Sequence, residues 1–210
     1  MTADEIIFSD NEKDILQEIM NIAFGSASAD LAKVIELYVV LSVPNIQLLK
    51  MKEIGTYLDS STAEFDKTAI IEQKFWGDLK GSSFLVFPYG ESVNFNALLS
   101  DSECGHDDVT FSHDEVLMEV GNIMIGACVG KLSELLNTFV TYSPPQLIFD
   151  QNGSTEKAIG TLDQNQTVIA MKTLFEFENQ DISGFLLLLT NEESIQWLKN
   201  ALNDFMDAYE

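Results

Sequence analysis

Apolar residues recur at three- and four-residue steps in two stretches of the chain. Ile15, Leu16, Ile19, Ile22 and Ala23 form one apolar arc, and Val116, Leu117, Val120, Ile123 and Met124 form another. The spacing predicts long helices over about Glu12–Leu37 and His113–Val140. Each is followed by a proline, Pro44 or Pro145, which biases the residue before it away from helix. Short runs then read as strands: Ile46–Lys50, Thr68–Trp76 and Ser82–Pro88, and later Gln146–Phe149, Thr167–Glu178 and Gly184–Thr190. A closing helix is predicted in each half, short at Ser92–Leu99 and longer at Asn191–Tyr209. The longer one has a start signal, Thr190 as N-cap with Glu193 three residues on. Turn residues cluster at Asn152–Ser154 and between the halves in "SECGHDD".

The two halves share one register. A shift of 101 residues superposes Glu18 on Glu119, Asn21 on Asn122, Gly25 on Gly126, Leu31 on Leu132, Pro44 on Pro145, Phe84 on Phe185 and Glu91 on Glu192. This predicts a duplicated half-domain. The expected fold is α+β: two αβββα units, about 8–100 and 109–208, related by a pseudo-twofold axis. They share an antiparallel-rich sheet against the two long helices. Half-domains of this size are marginal alone, so residues 1–210 are read as one domain.

Composition narrows the function. The chain has 210 residues, 46% hydrophobic, and a net charge of −23. All 11 of its basic residues are lysine. Such a surface disfavours nucleic acid and anionic membranes, both of which need clustered cations. Cys104 and Cys128, with His106 and His113, lack metal-ligand spacing, and Cys128 reads as a small core residue. No signal peptide is visible at the start of the sequence, and the run Phe185–Thr190 is too short to span a bilayer, so a cytoplasmic location is expected.

The polar positions of the long helices carry the chemistry. At about 100° per residue, Asp14, Glu18, Asn21 and Gly25 share one narrow stripe. Glu115, Glu119, Asn122 and Gly126 repeat it. Asn is a poor helix former, and Gly costs roughly 1 kcal/mol relative to Ala in a helix interior. Both helices accept both costs at matching positions. A glycine one turn beyond the asparagine leaves room for another surface to approach.

These residues resemble the signature of the CheC/CheX/FliY family of chemotaxis phosphatases: Asp or Ser, three residues, Glu, two residues, Asn, twenty-two residues, Pro. Asp14, Glu18, Asn21 and Pro44 fit it fully. Glu115, Glu119, Asn122 and Pro145 fit it except at the first position. There Glu115 reads as the third residue of a capping box opened by Ser112; Ser9 and Glu12 form a similar box two residues earlier relative to their motif. Two intact Glu–Asn pairs make the chain look most like CheC.

The resemblance implies a substrate, the phospho-aspartate of a CheY-like response regulator. It implies catalytic roles for Glu18, Asn21, Glu119 and Asn122, with Asn orienting the attacking water and Glu docking the regulator's lysine. Asp14 is placed to orient Glu18 or to add negative potential. No cofactor of the chain's own is expected, Mg²⁺ being carried by the regulator. The alternative is a non-catalytic adaptor that binds a regulator or CheD, the receptor deamidase that partners some CheC proteins.

Overall fold

The structure, a computed structural model, describes residues 8–34, 38–63, 65, 67–89, 112–150, 166–178 and 182–207. The expected helix Ser92–Leu99, the turns at Asn152–Ser154 and in "SECGHDD", and Cys104 and His106 lie outside them. The chain runs α1 (Asp10–Val34), β1 (Val39–Leu41), β2 (Asn45–Lys50), α2 (Met51–Thr62), β3 (Thr68–Gly77) and β4 (Gly81–Pro88). It continues through α3 (His113–Leu135), β5 (Val140–Tyr142), β6 (Gln146–Asp150), β7 (Thr167–Phe177), β8 (Ser183–Thr190) and α4 (Glu192–Asp207).

The eight strands among the described residues form one antiparallel sheet in the order β1-β7-β8-β4-β3-β5, with β2 also on β7 and β6 also on β3. The halves exchange strands. The first half's β1 and β2 pair with β7, and the second half's β5 and β6 pair with β3. Alternation splits each strand between two faces. Ala69, Ile71, Leu85, Phe87, Ile169, Met171, Phe175, Leu186 and Leu188 face a core shared with α1, α3 and α4. Ile70, Phe84, Val86, Val168, Ala170, Phe185 and Leu187 pack under Met51, Ile54 and Leu58 of α2.

The α+β architecture therefore stands, with three corrections. First, each expected post-proline strand, β2 or β6, is joined on the same partner by an unexpected three-residue strand before the proline, β1 or β5. Leu41 faces Phe175 and Asn45 faces Lys172, so residues 42–44 oppose only 173 and 174. Residues 143–145 likewise oppose only 73 and 74. One extra residue on one side is a β-bulge. In both, a serine hydroxyl enters the ladder: Leu174 N donates to Ser42 Oγ at 2.9 Å, and Lys74 N to Ser143 Oγ at 3.0 Å. Pro44 and Pro145, which have no N–H to give, sit in the bulges where none is required. Second, α3 ends well before Val140. Leu136 caps it, and Asn137 follows at φ 52, the left-handed conformation that stops a helix and that Asn tolerates. Third, α2 was not expected, and α4 is capped by Asn191 rather than Thr190. Ser194 N donates to Asn191 Oδ1 at 3.1 Å, while Thr190 is the last residue of β8.

The helix faces also shift. Counting about 100° per residue from Asp14, the buried residues Leu16, Ile19, Met20, Ala23, Phe24, Ala27 and Leu31 span about 140° to 280°. Ile22, expected in the apolar arc, falls at about 80°, on the arc's margin, and is 45% exposed. Residues 114–135 of α3 are long and apolar enough to cross a membrane by composition, but over half of that length is buried inside the protein. Its apolar face is spent on α1 and the sheet.

Gly121 sets how closely α3 approaches β3. A methyl group there would lie 2.6 Å from Ile71 Cγ2, and Ile71 is fully buried. Gly121→Ala is expected to destabilise the fold by about 1–3 kcal/mol through overpacking, despite the better helix propensity of Ala. Urea denaturation checks this: a midpoint at or above that of the parent chain contradicts the close approach.

Candidate functional site

Capping fixes where each helix begins and hence where its stripe points. Ser9 N donates to Glu12 Oε2 at 2.7 Å and Glu12 N donates to Ser9 Oγ at 3.1 Å. The Ser112–Glu115 pair closes in the same way, at 2.8 and 3.3 Å. The Ser112 backbone N–H and then its hydroxyl hold the Glu115 carboxyl below its ordinary pKa. Glu115 is thus occupied as a cap, which accounts for its departure from the signature's first position. Asp14 makes no hydrogen bond or ion pair with the described residues and is exposed.

Glu18, Asn21 and Gly25 are exposed, as are Glu119 and Asn122, with Gly126 partly so. On α1 the stripe is centred about 180° from the middle of the buried arc, so it points straight away from the core. A methyl group at Gly25 or Gly126 would meet no atom within 4 Å. These glycines are not required by packing inside the chain, in contrast to Gly121. Ile22, next to Asn21 in the chain, is 45% exposed.

The two prolines of the motifs belong to the bulges, and the bulges reach the helices. On α1, Gln17 Nε2 donates to Pro44 O at 2.8 Å, one residue before Glu18. On α3 the link is made by Gln73 of β3, which donates to Ser143 O and to Asn122 Oδ1, both at 2.9 Å. Pro44 is therefore a neighbour of α1 in space, and the second bulge reaches Asn122 through Ser143 and Gln73. Sequence reasoning missed Gln73 and Gln17, whose contacts are non-local. Lys131 ties the helices together through Asp30 at 3.2 Å. Each asparagine lies nine residues before its member of that pair, or about 14 Å along its own helix.

Around the stripes the chemistry is limited. Cys128 is fully buried, and burial pushes its thiol up to about 12, so it has no nucleophilic role. No group of three His, Cys, Asp or Glu among the described residues is placed to hold a metal. Each stripe offers a carboxylate for a cation and a carboxamide able both to donate and to accept.

Comparison with known proteins places this arrangement. A model of the CheC-like family matches residues 113–148, which span α3, β5 and most of β6. Over 200 residues the chain is 22% identical to the CheY-P phosphatase CheC of Bacillus subtilis, covering 92% of this chain and 94% of that protein. It is 25% identical over 141 residues to the flagellar motor switch phosphatase FliY of the same organism, covering 66% of this chain but only 36% of FliY. Among solved structures, Thermotoga maritima FliY has a TM-score of 0.69 at 20% identity, covering 95% of this chain and 99% of that one. The FliM middle domain from H. pylori has a TM-score of 0.62 at 12% identity, covering 92% and 99%. These two likenesses speak for the fold. The sequence matches show a resemblance to the CheC-like family.

Proposed function

We propose that the chain is a phosphatase that hydrolyses the phospho-aspartate of a CheY-like response regulator. The carrying observation is the paired arrangement: Glu and Asn exposed on one stripe of each long helix, with an unobstructed glycine one turn on. The phosphatase names of the Bacillus subtilis relatives CheC and FliY support the substrate class. An acyl phosphate is already activated. Its hydrolysis needs a water held in line and charge stabilised on the transferring group. The water oxygen bonds to phosphorus as the bond to the aspartyl oxygen breaks. Inorganic phosphate leaves, the aspartate carboxylate is restored, and the water's proton passes to phosphate or solvent.

In this reading the regulator supplies its own lysine and Mg²⁺. Asn21 and Asn122 orient the water, a carboxamide oxygen accepting one of its protons. Glu18 and Glu119 pair with the regulator's active-site lysine, which fixes register and adds affinity. A helix is a rigid mount that presents both groups at once. The setting is the cytoplasm, where the regulator is phosphorylated.

Phosphate release from a phosphorylated CheY-like regulator, with the chain at a tenth of the regulator's concentration, tests the proposal. Turnover well above the regulator's own rate is expected. Stoichiometric binding without faster release would mark an adaptor instead.

The glycines give a further prediction. Gly25→Gln with Gly126→Gln should raise helix stability by about 0.5–1 kcal/mol per site, since nothing inside the chain opposes the side chain. The same variant should bind the regulator more weakly. A more stable chain that binds as well as the parent removes the clearance role.

A further inference from the structure

The two asparagines differ in their surroundings. Asn122 is gripped from below by Gln73, whose side chain is 2% exposed on the helix-facing side of β3, opposite the bulge at residues 143–145. Gln73 Nε2 spends both protons, on Ser143 O and on Asn122 Oδ1, each at 2.9 Å. Its Oε1 is buried with no hydrogen-bond partner among the described residues. Since Ser143 O only accepts, the glutamine amide cannot turn over to satisfy that oxygen without losing the Ser143 bond. A buried carbonyl without a partner is unfavourable, so the glutamine's orientation is dictated by its two donor bonds.

The matching position beside α1 is Thr173, opposite the bulge at residues 42–44. Its hydroxyl is spent on Ser42 O at 2.6 Å. The Asn21 side chain makes no hydrogen bond with the described residues.

Resting on the phosphatase reading, we propose that Gln73 is a positioning residue that holds the Asn122 carboxamide in one orientation and makes the α3 site the pre-organised one of two unequal sites. With Oδ1 fixed by Gln73, its remaining lone pair and the Nδ2 protons point to fixed places, while Asn21 must be ordered when the regulator binds. Ordering one such side chain is worth about a three- to tenfold difference in rate per site.

The test isolates each site. In an Asn21→Ala background only the α3 site remains, and in an Asn122→Ala background only the α1 site. Gln73→Leu and Gln73→Met are added to each; the second nearly keeps the length and removes the donor. Regulator dephosphorylation should lose about three- to tenfold in kcat in the first background, with KM nearly unchanged, and nothing in the second. Equal loss in both backgrounds would mean general damage, and full activity of Gln73→Met in the first would mean that donation is irrelevant; either overturns the proposal. Side-chain amide NMR of the free chain gives a reading independent of turnover. The heteronuclear NOE should report a rigid Asn122 amide and a mobile Asn21 amide, the former loosening in Gln73→Leu. Equal mobility of the two in the parent chain overturns the positioning role even if the phosphatase reading holds. A rigid Asn122 without any turnover would instead sink the phosphatase reading.

Discussion

With Glu18 and Glu119 both replaced by lysine, binding of the phosphorylated regulator is expected to fall by about thirtyfold or more at each site. Truncating one member of a desolvated charge pair costs about 2–5 kcal/mol, and reversal adds repulsion against the regulator's lysine. The fold should be unaffected, because both carboxylates are exposed and make no ion pair with the described residues. General electrostatics must be separated from docking. Glu176→Lys with Asp204→Lys makes the same change in net charge at exposed positions off the stripes and should leave binding nearly intact. Calorimetric titration of regulator locked in its phosphorylated conformation reads both variants. Equal affinities for the stripe variant and the control would remove the docking role.

The asparagines should behave differently. With Asn21→Ala and Asn122→Ala together, the complex still forms through Glu18 and Glu119, but the water loses its acceptor. The bound rate should drop by about a hundredfold or more, to the regulator's own decay, because misplacing a reacting group by about 1 Å already costs that much. Asn21→Ala should not lower stability, its side chain being exposed on a helix surface where Ala is the better helix former, whereas Asn122→Ala takes one partner from the buried Gln73 amide and should cost about 1–3 kcal/mol. The separation of effects is the diagnostic: Glu changes act on binding and Asn changes on the bound rate.

Which features were legible in the sequence follows from their range along the chain. The long helices were legible because their apolar period runs over more than twenty residues, and the stripe because a helix wheel needs only local geometry. The Ser112–Glu115 cap was legible for the same reason. The bulges were not. Val39–Leu41 and Val140–Tyr142 are three-residue strands, too short for a period-two signal, and the extra residue at each proline breaks the alternation. Helix α2 was hidden by composition. Gly55, Thr56, Ser60, Ser61 and Thr62 are poor helix formers, and the segment is held by burying Met51, Ile54 and Leu58 against the sheet. Gln73 was out of reach because its partners lie 49 and 70 residues away, and nothing local marks a glutamine in a strand as the support of an asparagine on a helix. Ile22 lies outside the buried arc because Phe24, Ala27 and Leu31 pull that face round toward the far side of the helix.

The most direct test of the central claim is a single-turnover measurement at saturating protein. Phosphorylated regulator is mixed with excess parent chain or with the Asn21→Ala, Asn122→Ala variant, and the decay of the phospho-aspartate is followed. The account predicts rapid decay with the parent and decay at the regulator's own rate with the variant, although the regulator is fully bound in both. Equal acceleration by the two chains would contradict it.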